Sequence, residues 1–152
     1  MAATHFSGPV ISEVGFQSGA SSVESLVTTK TLDVEDSGKT FFLNLAGGFT
    51  VTLPALSTVA AGWKVRIVVG ITPTTAYIVT ELVGTDTNKL VGNVTTSTGE
   101  TAPAKFNASG FTLVTFVVSS GAVKGDYIDI ITDGAFYYVS GCTSVPAAIT
   151  FT

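Results

Sequence analysis

One cysteine, one histidine, one tryptophan and seven lysines and arginines in 152 residues leave few routes to the commoner chemistries of small proteins. A single thiol, Cys142, makes no intrachain disulfide, so cohesion must come from a core or from other copies. With no cationic cluster near it in sequence, it reads as an inert, small core residue. One His and one Cys cannot fill a tetrahedral zinc site. His5 stands in an irregular opening segment with no rigid partner, which excludes a Ser-His-Asp arrangement. The net charge is −4, and no basic stripe is present to neutralise a phosphate backbone, so nucleic acid is not an expected partner. The apolar run from Val65 to Ile71 is broken by Arg66 and Gly70 and halted by Pro73, far short of the ~20 residues a membrane helix needs, so no membrane partner is expected. The opening Met1-Ala2-Ala3-Thr4-His5-Phe6-Ser7-Gly8-Pro9 lacks the positive start and apolar run of a secretory signal, and synthesis in the cytoplasm is expected.

What is present is apolar and uncharged. Hydrophobic residues make up 45% of the chain and charged residues 12%, so Ser, Thr, Asn and Gly must form most of the surface, a composition suited to permanent packing against other subunits. From Val27 onward, β-type runs recur every ~8–12 residues, the spacing of a sandwich or barrel. Strands are expected at 28–34, 39–45, 49–53, 63–69, 76–82, 90–94, 104–106, 111–119, 126–132, 135–140 and 148–151. The pattern predicts an all-β protein with a single antiparallel, jelly-roll-like β-sandwich at 27–152, preceded by an extended arm at 1–26. Runs 39–45 and 49–53, joined through Gly47-Gly48, read as one β-hairpin that Pro54 ends, and Asp36-Ser37-Gly38 reads as the turn closing the preceding pair. Asp133-Gly134 marks a second, two-residue hairpin turn. Residues 54–61 offer one helical turn, 94–103 an exposed loop, and no internal repeat is expected. The arm holds short apolar anchors, Phe6, Val10, Ile11, Val14 and Phe16, among Gly and Ser breakers. Such anchors either dock on a partner or pack on the chain's own domain as a first strand.

Candidate reactive groups are sparse. Asp126 and Asp133 border strands, where acidic residues form turns, and Asp129 between Ile128 and Ile130 points outward, so a glycosidase pair of carboxylates is not expected. Glu35 with Asp36, and Glu81 with Asp86, offer hard oxygen ligands but no calcium-loop spacing. Gly47-Gly48 lacks the Lys-Ser/Thr sequel of a phosphate loop. Asn93-Val94-Thr95 and Asn107-Ala108-Ser109 match the glycosylation acceptor pattern by chance, given the missing signal. Trp63, Tyr77, Tyr127, Tyr137 and Tyr138 would form a sugar-stacking platform only if exposed together, and in a sandwich aromatics more often fill the core or subunit interfaces. No catalytic residue, metal ligand or cofactor is assigned.

Five stretches carry a resemblance: Phe6-Ser7-Gly8-Pro9-Val10-Ile11-Ser12; Asp36-Ser37-Gly38-Lys39-Thr40-Phe41-Phe42-Leu43-Asn44; Phe49-Thr50-Val51-Thr52-Leu53-Pro54; Gly62-Trp63-Lys64-Val65-Arg66-Ile67-Val68-Val69; and Asp133-Gly134-Ala135-Phe136-Tyr137-Tyr138-Val139-Ser140. In these the chain resembles small capsid decoration (cement, or head-stabilisation) proteins of tailed bacteriophages, and more loosely phage head-fibre and tail-fibre domains. The resemblance implies a structural virion protein without enzymatic activity, a homotrimer on the outer surface of the capsid that clamps neighbouring capsomers, with the major capsid protein as partner. It also implies that Phe6, Pro9, Val10, Ile11, Val14 and Phe16 bind the capsid. The alternative it leaves open is a trimeric fibre or spike module that binds host-surface glycans.

Overall fold

A computed structural model describes residues 22–82, 84–97, 105–118 and 121–152, with backbone alone for 105–109. Among these residues the strands are β1 (Val23–Leu26), β2 (Lys30–Thr31), β3 (Thr40–Leu43), β4 (Thr50–Thr52), β5 (Lys64–Val69), β6 (Tyr77–Thr80), β7 (Leu90–Thr96), β8 (Lys105–Phe111), β9 (Leu113–Phe116), β10 (Tyr127–Thr132), β11 (Tyr137–Thr143) and β12 (Ile149–Phe151). They form a seven-stranded sheet in the order β1-β3-β5-β10-β11-β7-β8 and a five-stranded sheet in the order β12-β9-β6-β4-β2. The two sheets pack together as the expected all-β sandwich. Phe41, Leu43, Ile67, Ile128, Ile130 and Tyr137 from the larger sheet meet Val51, Tyr77, Val79, Val114, Phe116 and Ile149 from the smaller. Among the described residues helix is confined to short 3₁₀ turns, one of them, Leu56–Thr58, inside the helical turn expected at 54–61.

Strand direction departs from expectation. Both sheets are mixed, because β1, β3 and β5 run parallel in one and β2, β4 and β6 run parallel in the other. The first six strands alternate between the sheets, so the chain crosses the core from β1 to β2, from β3 to β4 and from β5 to β6. Three β-arches therefore stack in register, with Leu26, Leu43 and Val69 in one column and Thr31, Thr52 and Thr80 in another. Parallel neighbours need long connections, and here each connection is a trip through the opposite sheet. This replaces the antiparallel, jelly-roll-like connectivity, and it makes three stacked tiers where no repeat was expected. The tiers leave no periodic trace because the chain between them varies, from Val23 to Thr40 in one step and from Thr40 to Arg66 in the next.

The hairpin expected at 39–53 is one of these arches: β3 and β4 lie in different sheets. A hairpin and an arch share the same alternating strands, so local pattern does not separate them. Their difference lies in contacts made by the turn. Ala46 O accepts from Thr74 and Thr75 N–H at 2.6 and 3.1 Å, and Leu43 O accepts from Gly70 and Ile71 N–H, tying this turn to the next tier. Gly48 sits at φ +69 with the carbonyls of Thr75 and Ala76 2.4 Å from where a Cβ would be, so only glycine lets the two turns stack. The buried Tyr77 hydroxyl donates toward the carbonyls of Leu43 and Ile71.

The molecule thus has two ends. At the arch end lie residues 27–29, 44–49 and 70–76, joined by the β9–β10 connection, where Gly125 N–H bonds Val69 O and Lys124 N–H bonds the Thr72 hydroxyl. At the return end lie 32–39, 53–63, 81–82 and 84–89, with the β10–β11 turn beside them, since Gly62 N–H bonds Thr132 O. That second hairpin is as expected, in a loop of Asp133-Gly134-Ala135-Phe136 rather than two residues, because Thr132 pairs with Tyr137. Val23–Leu26, placed by sequence in the arm, is the edge strand of the larger sheet. The Asp36-Ser37-Gly38 turn leads from β2 in one sheet to β3 in the other, so it closes no strand pair. No helix among the described residues is long and apolar enough to cross a membrane.

Candidate interaction surface

The outer face of the seven-stranded sheet departs from the polar face an antiparallel sandwich sheet usually turns to water. Adjacent apolar residues in a strand must point to opposite faces. The doublets Phe41-Phe42, Val68-Val69, Ile130-Ile131 and Tyr137-Tyr138 each put one member in the core and the other outside. Cross-strand register gathers the outer members into rows. Phe42, Val68, Tyr127 and Cys142 form one, and Lys64, Ile131, Tyr138 and Val91 another. Ile131 and Tyr138 keep 47% and 43% of their surface exposed, which marks this face as one that no other described part of the chain covers.

Between the rows runs a polar one, Thr40, Arg66, Asp129 and Ser140. Arg66 Nε and a terminal guanidinium nitrogen each donate to Asp129 at 2.7 Å, a two-pronged contact, while the guanidinium lies 4.7 Å from the Tyr127 ring centre. The Asp129 carboxylate raises the Arg66 pKa further, chiefly through this hydrogen bond. The pair is half-exposed, so it contributes about 0–1 kcal/mol to stability and mainly makes the row electrically self-sufficient. Alongside lies a shallow groove of about 350 Å³ lined by Lys39, Thr40, Lys64, Arg66, Asp129 and Ile131. A hollow of about 330 Å³ lies nearer the arch end, among Phe42, Asn44, Val68, Gly70, Lys124 and Gly125.

The residues named from sequence fall as follows. Phe6, Pro9, Val10, Ile11, Val14 and Phe16, with His5, lie outside the described residues. Asp129 points outward as expected. Asp126 is buried and accepts from the N–H groups of Val123 and Ser144. Asp133 accepts from Ala135 and Phe136 N–H at 2.8 and 2.9 Å and from the Tyr138 hydroxyl, and those bonds hold its pKa below the usual range while raising that of Tyr138. Each is a turn- or sheet-building residue. Cys142 is half-buried on the outer side of β11 rather than in the core. Of the aromatic set, Trp63, Tyr77 and Tyr137 are buried, so the platform is reduced to Tyr127 and Tyr138.

The acidic pairs have structural partners. Burial works against the charged form of Asp36, but the Lys39 ammonium at 2.5 Å, Asp33 N–H and Lys30 outweigh it, and the pKa falls below 3.8. Burial raises the Glu81 pKa, although one oxygen accepts from Lys89 and Leu90 N–H; the other has no hydrogen-bond partner. Asp86 accepts from Leu56 N–H at 3.0 Å. No group of three or more His, Cys, Asp or Glu converges among the described residues. The outward apolar rows were not expected from sequence, and the doublets are the signal that reveals them. Compared with known proteins, the chain matches no family model and no curated protein.

Proposed function

We propose that the protein is a structural component of a phage virion, bound to the outside of the capsid as a homotrimer and bridging neighbouring units of the major capsid protein, without catalysis. The observation that supports this most is the outer face of the larger sheet, where apolar rows flank an internally neutralised ion pair. Apolar and aromatic centres with a satisfied polar component are what protein interfaces bury. A clamp that binds two capsomers at once raises the free energy of separating them, and many modest contacts sum through their shared attachment. In this reading the segment holding Phe6, Pro9, Val10, Ile11, Val14 and Phe16 supplies further anchors to the shell.

The test is a density map and heat-release assay on purified particles with and without the protein. The reading expects hundreds of copies per particle on the shell surface and an earlier release of genome when they are missing. A few dozen copies at a fibre tip would support the glycan-binding alternative, and absence from particles would end both. Truncation should stop before Ser22, because removing Val23–Leu26 would also strip an edge strand from the sheet. Loss of attachment on that truncation is expected; full retention would remove the anchor assignment.

A further inference from the structure

The groove beside Ile131 opens where the chain enters the larger sheet. Thr40 N–H donates to Ser22 O at 2.8 Å, and Thr40 lines the groove, so Ser22 stands at its rim. From there the strand order leads across β3 to Lys64 on β5 and to Ile131 on β10, which pairs with both Lys64 and Tyr138. Lys64 differs from the other cations of the groove. Arg66 is held by Asp129 and Lys39 by Asp36, whereas Lys64 is exposed and has no carboxylate partner among the described residues. The apolar surface next to it belongs to Ile131 and Tyr138, both exposed. The groove therefore offers one unanswered ammonium beside uncovered apolar side chains.

The segment that precedes Ser22 carries the complement. Within 1–21, Glu13 is the only Asp, Glu, Lys or Arg, with Val10 and Ile11 before it and Val14 and Phe16 after it. We infer that in the free protein this segment docks over the groove of its own chain, Glu13 meeting Lys64 while Val14 and Phe16 cover Ile131 and Tyr138. The reach suffices. Extended chain from Glu13 to Ser22 spans up to about 30 Å. Lys64 lies two strand spacings across from Ser22 and two residues along the strand, about 12 Å away. Attachment at the rim selects this occupant over a separate molecule, because a tethered segment meets the groove at roughly millimolar effective concentration and modest contacts then suffice. The inference deepens the reading given above by naming how its site is regulated. The segment and the sheet face that would meet the capsid shield each other until the shell competes for both.

Carbodiimide coupling of the full chain in dilute solution, read by intact mass and peptide mapping, tests it, since the reagent joins carboxylates to amines in contact. The Lys39–Asp36 and Lys30–Glu24 pairs, at 2.5 and 2.7 Å, report that the reagent has acted. A Glu13–Lys64 link within single chains is expected. In the double variant V14S/F16S, changed only outside the described residues, that link should fall about ten-fold relative to the two control links. The same variant should bind several-fold more of an apolar-surface dye than the parent, with an unchanged circular dichroism spectrum. Three results overturn the inference: Glu13 linked to other lysines or to none while the control links form, a Glu13–Lys64 link found only between separate chains, or equal dye binding by parent and variant. Absence of the protein from particles would end the capsid reading and leave the link untouched. A missing link in a protein that still decorates particles would end this inference alone.

Discussion

The arch end and the return end turn the chain between the same two sheets with different chemistry. At the return end carboxylates close the loops: Asp36 takes Asp33 N–H, Asp86 takes Leu56 N–H, Glu81 takes those of Lys89 and Leu90, and Asp133 takes those of Ala135 and Phe136. At the arch end stacked turns satisfy one another, as Ala46 O does for Thr74 and Thr75 and Leu26 O for Asn44. Backbone pairing between tiers takes over much of this work in the stacked turns, while in the β9–β10 connection Asp126 still accepts from Val123 N–H. The stacked turns can then be built from Thr, Ala, Gly and aliphatic residues, while carboxylates take up the free N–H groups of the return-end loops.

The largest expected effect breaks the charged end. Asp36 is almost fully buried between Lys39 and Lys30. Asp36→Ala leaves the two ammonium groups short of their buried partner and should cost about 3 kcal/mol in urea unfolding. A cost below about 1 kcal/mol would show that the return end does not depend on its carboxylates.

Glycines sharpen the contrast. Gly48→Ala at the arch end should cost about 2–3 kcal/mol, since its Cβ would meet two backbone carbonyls at 2.4 Å. Gly38→Ala at the return end has φ +84 but open space around it, so the expected cost is the left-handed strain alone, about 1 kcal/mol. Equal costs would mean that tier stacking does not restrict the arch.

The return end should also set the pH response. The lowered pKa of Asp36 means that its contribution is present above 3.8 and is lost as pH falls through the folded value. The raised pKa of Glu81 has the opposite sign: its contribution is full below 4.5 and is lost as pH rises through the folded value. Glu81→Gln should therefore flatten the decline in stability above pH 4.5 and leave the acid limb unchanged, as followed by thermal unfolding across pH. The smallest effect is expected for Arg66→Ala, under about 1 kcal/mol, because the Asp129 pair is half-exposed.

Much of the architecture was legible in the sequence, for identifiable reasons. The runs at 63–69 and 126–132 alternate cleanly, and they appear as β5 and β10 within one residue. Asp133-Gly134 announced its hairpin through turn chemistry. Connectivity was not legible, because Gly47-Gly48 suits an arch as well as a hairpin and only the carbonyls of Thr75 and Ala76, distant in sequence, distinguish them. Val23–Leu26 was hidden because its exposed Val23 and Ser25 give a four-residue edge strand little apolar signal. The outer apolar rows were spelled in the doublets, but their convergence needed the register of β3, β5, β10 and β11.

Hydrogen–deuterium exchange on the parent and on Gly48→Ala probes the difference between the two ends most directly. The largest gain in exchange is expected in segments 44–49 and 70–76, where the stacked turns pair, with 32–39 and 84–89 least changed. A gain centred on the carboxylate-capped loops, with the arch turns unaffected, would contradict the assignment of turn stacking to the arch end.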